Sequence, residues 1–236
     1  MSLYNDIRIN PLVNPGGDHV ALQLVIDVSG SMTRIVPEFG KSSIQLVTEA
    51  INGMIAELKA DEHASKCCDI SIITFTDPGA HKIILPFTSV SQVGPISLTT
   101  GGSTYAVDAL KLAVQNIRAC VKQYQGGVFK PWLVFISDGE IFDDLSAIGA
   151  VIRQRESVGK LRAICLGSDD YRPDQLKKIS DKVGDLRGHD WKAFFRWLSK
   201  SMVIVSSSDT SVFSVKIDPT VPSSTNPSQK AVTWSM

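Results

Sequence analysis

The sequence predicts a doubly wound α/β fold: a mainly parallel sheet with one antiparallel edge strand and helices on both faces. Short apolar runs alternate along the chain with segments of helical period. The runs are nearly unbroken and rich in β-branched residues, the pattern of strands covered on both faces. Short connections between alternating strands and helices imply parallel crossovers.

"HVALQLVID" (19–27) is the first strand. The segment 42–60 places Ile44, Val47, Ile51, Ile55 and Leu58 at helical spacing, with Ser42 and Ser43 as caps. "CDISIITFT" (68–76) and "HKIILPF" (81–87) are two strands joined by "DPGA", which is turn chemistry, so they form the antiparallel hairpin at the edge. An amphipathic helix covers 103–124, with Ala106, Leu110, Val114 and Ile117 on one side. "KPWLVFISDGE" (130–140) repeats the opening theme, an apolar strand that ends in Ser-Asp-Gly. A helix over 146–158 and a strand over 160–167 follow, then a helix over 172–182 with Pro near its start. The last helix, 190–205, carries Phe194, Leu198, Met202 and Val205 on one stripe, and Trp191 and Trp197 fit core or docking positions.

The organisation expected is an N-terminal extension (1–17), one domain (18–205) and a C-terminal tail (206–236). The tail holds 13 Ser or Thr and three Pro, too few apolar positions for a second core. Within it "VFSVKI" (212–217) alternates and could add a short strand.

Lys plus Arg and Asp plus Glu are each 24, so no basic field points to nucleic acid or an anionic membrane. No apolar stretch approaches the roughly 18–20 residues that span a bilayer. The N-terminus lacks the basic-then-apolar pattern of a secretory signal. Cys67, Cys68, Cys120 and Cys165 lie in or near apolar runs, which suits reduced thiols in a cytoplasmic protein. His63 near Cys67 and Cys68 lacks a C-x-x-C partner, so loop and strand-edge roles fit these residues better than zinc.

Three segments emerge at the carboxyl edge of such a sheet: 27–31 after the first strand, 101–104 before the second major helix, and 137–140 after the strand at 132–137. They bring Asp27, Ser29, Ser31, Thr104 and Asp138 to one shallow cleft. All five offer oxygen, which suits a hard cation, Mg²⁺ or Mn²⁺ ahead of Ca²⁺. Alternation along an extended turn points Asp27, Ser29 and Ser31 the same way. Gly30, Gly101 and Gly102 let backbone approach closely. Five short side chains leave one coordination position for an outside ligand.

"DVSGS", the Gly-Gly-Ser-Thr loop and "ISDGE" resemble the metal-ion-dependent adhesion site (MIDAS) of von Willebrand factor A domains, whose Asp-x-Ser-x-Ser, Thr and Asp match Asp27, Ser29, Ser31, Thr104 and Asp138. The resemblance covers roughly 18–205. It implies a non-enzymatic module whose cation bridges to an Asp, Glu or phosphate of a protein partner. "AFFRWLSKSMVIVSSS" resembles the last helix of the bacterial tellurite-resistance TerY-like branch. That resemblance implies a signalling scaffold beside a protein kinase and a PP2C-type phosphatase.

Enzyme readings fare worse. There is no G-x-x-x-x-G-K-[ST] and no G-x-S-x-G after a strand. No His lies in the three loops to act as a base. The alternative is a metal-dependent phosphohydrolase with Asp27 as nucleophile. Position 29, where a haloacid-dehalogenase-like phosphatase would carry a second Asp, is Ser. Asp143 and Asp144 are expected in the first turn of the following helix, favoured there by its dipole.

Overall fold

The computed structural model describes residues 19–124, 127–206 and 233–235. Six strands form the body of one sheet in the order β5-β4-β1-β6-β7-β8. They are β1 (Val20–Asp27), β4 (Cys68–Phe75), β5 (Lys82–Ser89), β6 (Trp132–Ser137), β7 (Arg162–Gly167) and β8 (Val183–Asp185). All pair in parallel except β5, which runs antiparallel to β4 as the turn at 77–80 predicts. The backbone of β9 (Thr233–Ser235) lies antiparallel beside β8 at the opposite edge.

Both faces are covered, which is why the strand runs are unbroken. Leu22, Leu24 and Ile26 of β1 face α1 (Ser43–Ala60) and α6 (Trp191–Ser206) in one core. Ala21 and Val25 face α3 (Val107–Gln123), α4 (Ser146–Ser157) and α5 (Pro173–Ile179) in the other. Fully burying one such aliphatic side chain stabilises the fold by about 1.5–3 kcal/mol. Trp191 is fully buried and Trp197 packs against Trp132 and Phe194, so both serve the core.

Ser42 caps α1 in a reciprocal capping box with Gln45, as expected from its position. Its neighbour Ser43 is instead the first helical residue, and its hydroxyl reaches Asp169. Short elements escaped the sequence pattern. A two-stranded ribbon pairs β2 (Ile35–Val36) with β3 (Lys41–Ser42), and a single helical turn, α2, covers Ala64–Cys67. β8 has only three residues, with Gly184 in the middle, so it carries no periodicity to detect. The 1–17 extension and 212–217 lie outside the described residues.

Cys67, Cys68, Cys120 and Cys165 are buried thiols. Burial pushes the thiols of Cys68, Cys120 and Cys165 far up, which keeps them protonated. His63 Nε2 lies 3.7 Å from Cys67 Sγ and 2.6 Å from the Ser206 carbonyl oxygen. No helix among the described residues is long and apolar enough to cross a membrane.

β1 has β4 on one side and β6 on the other, so the chain reverses direction across the sheet between β1 and β6. Ligands of open α/β sheets bind in the crevice outside such a switch point. Asp27 ends β1 and Asp138 follows the last residue of β6.

Candidate metal centre

Asp27 is fully buried, and each of its carboxylate oxygens accepts one hydrogen bond. Ser29 N donates to Oδ1 at 2.9 Å, and Ser137 Oγ donates to Oδ2 at 2.7 Å. The first bond folds the chain back just beyond the strand. The second joins the ends of β1 and β6. Ser137 is a member of the site that the sequence did not single out; its position as the last inward residue before Asp138 was the available signal.

Ser29 keeps extended backbone, but Ser31 sits in a 3₁₀ turn over Gly30–Thr33. Alternation along an extended segment therefore accounts for Ser29 and not for Ser31, which the turn brings round. Ser29 Oγ and Ser31 Oγ are 3.0 Å apart, and Ser31 Oγ donates to Asp138 Oδ1 at 2.8 Å. Asp27, Ser29, Ser31 and Asp138 thus form one hydrogen-bonded chain across two loops.

Thr104 is buried on the third loop, which backbone bonds lash to the first. Gly30 N donates to the Gly102 carbonyl at 2.9 Å and Gly101 N to the Val28 carbonyl at 2.8 Å. Gly102 has φ +78°, and a Cβ there would meet Thr76 Oγ1 and Asp77 Oδ2 at about 2.5 Å, so close approach does require this glycine. A Cβ on Gly30 would make only an ordinary 3.5 Å contact, so that glycine is not sterically demanded by the protein. Phe142 N donates to the Thr104 carbonyl at 3.0 Å, which ties the third loop to the second.

Asp143 does not sit in the first turn of α4. Its carboxylate accepts from Ala106 N at 3.1 Å and Val107 N at 2.8 Å, capping α3 from another loop. Asp144 also stands before the first turn of α4, which holds no acidic residue, and its carboxylate accepts from Ser146 N.

Burial pushes the Asp138 carboxyl up to about 6, and the nearby Asp27 charge adds to the effect. Burial also raises Asp27, against the hydrogen bonds from Ser29 and Ser137. Asp138 Oδ2 is buried and has no hydrogen-bond partner among the described residues. A buried carboxylate oxygen normally has a partner. Arg34, the nearby guanidinium, pairs with Asp170 at 3.0 Å instead. Two carboxylates and the hydroxyls of Ser29 and Ser31, with one orphaned anionic oxygen and the buried Thr104 on the loop lashed beside them, fit a hard divalent cation. Among the described residues no group of three or more His, Cys, Asp or Glu side chains is arranged to hold a metal ion.

No protein-family profile and no curated protein matches the sequence. Solved structures do share the fold. The pilus adhesin SpaC of Lactobacillus rhamnosus GG superposes with a TM-score of 0.61 at 14% identity, over 78% of this chain and 30% of that one. The PilB minor pilin of Streptococcus sanguinis gives 0.58 at 14% identity, over 82% of this chain and 63% of that one. Proximal thread matrix protein 1 from the mussel byssus gives 0.51 at 14% identity, over 80% and 46%. The chain spans less than two thirds of the length of each of these proteins.

Proposed function

We propose that this chain is a divalent-cation-dependent protein-binding module of the von Willebrand factor A type. Asp27, Ser29, Ser31, Thr104 and Asp138 hold Mg²⁺, with Mn²⁺ and Ca²⁺ as alternatives. A bound divalent ion supplies a concentrated positive charge that attracts an acidic group, a carboxylate or a phosphate, of a protein partner. The observation that carries this reading is Asp138 Oδ2, a buried carboxylate oxygen without a hydrogen-bond partner among the described residues, beside a second buried carboxylate. Likeness of fold to a pilus adhesin and a minor pilin supports a binding role over a catalytic one.

The protein's own residues prepare the site. Ser137 and the Ser29 amide fix the Asp27 carboxylate, while Ser31 orients that of Asp138. Lashing the three loops through backbone bonds keeps the hydroxyls in place before any ion arrives. Isothermal calorimetry with Mg²⁺ and Mn²⁺ tests the proposal: saturable binding supports it, and its absence rejects it.

The phosphohydrolase alternative has less support. A nucleophile needs an oxygen that substrate can reach, and both oxygens of Asp27 are buried and hydrogen-bonded. Turnover of a generic phosphate ester with Mg²⁺, lost in Asp27→Asn, would restore it. A narrower placement beside a protein kinase and a PP2C-type phosphatase has as its support the resemblance of the 193–208 segment alone. Magnesium-dependent binding of either enzyme would test it.

A further inference from the structure

The two edges of the sheet treat their cations differently. In the loops of the carboxyl edge each arginine has a carboxylate beside it. Arg34 pairs with Asp170 at 3.0 Å, Arg172 lies 3.6 Å from Glu140, and Arg187 pairs with Asp185. At the amino edge, where β6, β7 and β8 begin, Lys130, Arg155, Lys160 and Arg162 form no ion pair among the described residues.

The backbone gathers these four cations at one corner. Arg155 lies in the last turn of α4, and its carbonyl accepts from Lys160 N at 2.9 Å, closing the turn that leads into β7. A Cβ on Gly159, inside that turn, would meet Lys130 Nζ at 3.9 Å, so Lys130 reaches across from the segment before β6. Arg162 and Trp132, the first residues of β7 and β6, are paired in register. The Arg162 guanidinium carbon stands 5.1 Å from the centre of the Trp132 ring, a contact that holds the side chain in place.

The carboxylates nearby do not answer these charges. Glu156 is turned inward, where Ala163 N, Ser180 Oγ and Lys182 Nζ donate to it at 3.1, 3.2 and 2.5 Å. Asp181 is exposed and forms no ion pair among the described residues. Position 130 and the segments 155–162 and 180–182 together hold five cations and two carboxylates, in a chain of zero net charge. The dipole of α4 accounts for Arg155, but it fades within the last turn, and Lys130, Lys160 and Arg162 lie beyond it. Arg155 Nε and Arg162 Nη1 are buried donors with no hydrogen-bond partner among the described residues. Burial also holds the Arg162 guanidinium below its ordinary value, against the pull of Glu156.

Several unmatched cations around one turn suit a phosphate group, whose dianion and three oxygens take many donors, better than a single carboxylate. Nucleic acid fits less well, because the Trp132 ring is buried under Arg162 and offers bases no stacking face. A membrane surface also fits less well: the turn exposes one large apolar side chain, Val158, where anchoring uses a broad apolar face.

We infer that this corner of the amino edge binds a phosphorylated segment of a protein partner, with the phosphate among Lys130, Arg155, Lys160 and Arg162. The corner lies at the opposite edge of the sheet from Asp27 and Asp138, so its ligand needs no divalent ion.

The test uses the full chain in EDTA and fluorescence anisotropy with labelled probes: a phosphoserine peptide, the same peptide unphosphorylated, the same peptide with Glu in place of phosphoserine, and a short single-stranded oligodeoxythymidine. The phosphopeptide should bind about tenfold tighter than each of the others. Joint Lys130→Gln and Lys160→Gln substitution should weaken it about tenfold, and Arg162→Gln alone about fivefold. Lys130 and Lys160 are exposed, so the double variant should melt as the wild type does, which circular dichroism checks. Lys192→Gln, an exposed change at the start of α6, should leave phosphopeptide binding as it was. No binding of the phosphopeptide, equal binding with and without the phosphate, tighter binding of the oligonucleotide, or unchanged affinity in the folded double variant overturns the inference.

Discussion

Ser31 Oγ donates to Asp138 Oδ1 across 2.8 Å, although 107 residues separate them in sequence. This bond closes the loop after β1 onto the loop after β6. It leaves the second carboxylate oxygen of Asp138 buried and without a partner among the described residues. At neutral pH the site therefore holds a buried negative charge, with no hydrogen-bond donor at that oxygen among the described residues.

The first prediction concerns that charge. Asp138→Asn keeps an acceptor for Ser31 and removes the buried negative charge. In EDTA at pH 7 the variant should melt above the wild type, by up to about 2–3 kcal/mol of added stability. Its melting temperature should not respond to Mg²⁺, whereas the wild type's should rise. Differential scanning calorimetry of both proteins, with and without Mg²⁺, reads the two effects.

The pH dependence follows with a definite sign. The Asp138 carboxyl titrates near 6 in the folded chain, against an ordinary value near 4, so the folded state holds its proton longer than the unfolded state. This group's contribution to metal-free stability is greatest at low pH and is lost as the pH rises from about 4 through about 6. Urea denaturation in EDTA should show that decline, and Asp138→Asn should flatten it. The stabilisation gained from Mg²⁺ should grow over the same interval, since a deprotonated carboxylate is the better ligand.

Gly102 is a glycine whose replacement should be costly at this edge. Its φ of +78° disfavours a side chain, and a Cβ there collides with Thr76 and Asp77. Gly102→Ala should destabilise the fold by about 1–3 kcal/mol. It should also weaken Mn²⁺ binding, because the Gly102 carbonyl receives the Gly30 N–H that registers the first and third loops. Gly30→Ala should do much less to stability, and parallel denaturation and calorimetry of the two variants check the contrast.

Asp143→Ala tests the cap that sequence reasoning misplaced. Loss of the two bonds to Ala106 N and Val107 N should cost about 1–2 kcal/mol. Asp143→Asn should recover much of that loss, since an amide oxygen still accepts. Chemical denaturation distinguishes the three proteins.

Much of this arrangement was legible in the residues. "VALQLVID" could only be a strand buried on both sides, and the hairpin at the edge followed from Asp-Pro-Gly between two apolar runs. Once the strands were parallel, their carboxyl ends had to share an edge, which placed the loops of Asp27, Thr104 and Asp138 together. What stayed hidden depends on contacts between distant segments. Asp143 stands directly before α4 but caps α3, a choice made by the packing of two loops and not by local propensity. Ser137 looks like one more small residue in a strand until β6 lies beside β1. β8 and the β2–β3 ribbon are too short for any period to show, and they exist because a neighbour offers them hydrogen bonds.

The central claim, that Asp27, Ser29, Ser31, Thr104 and Asp138 hold one divalent cation, is tested most directly by calorimetric titration of the full chain with Mn²⁺, beside Asp27→Ala and Asp138→Ala, with circular dichroism to confirm that both variants fold. The account predicts one Mn²⁺ per wild-type chain and none detectable in either folded variant. A wild-type chain that takes up no Mn²⁺, or variants that bind it as the wild type does, would contradict it.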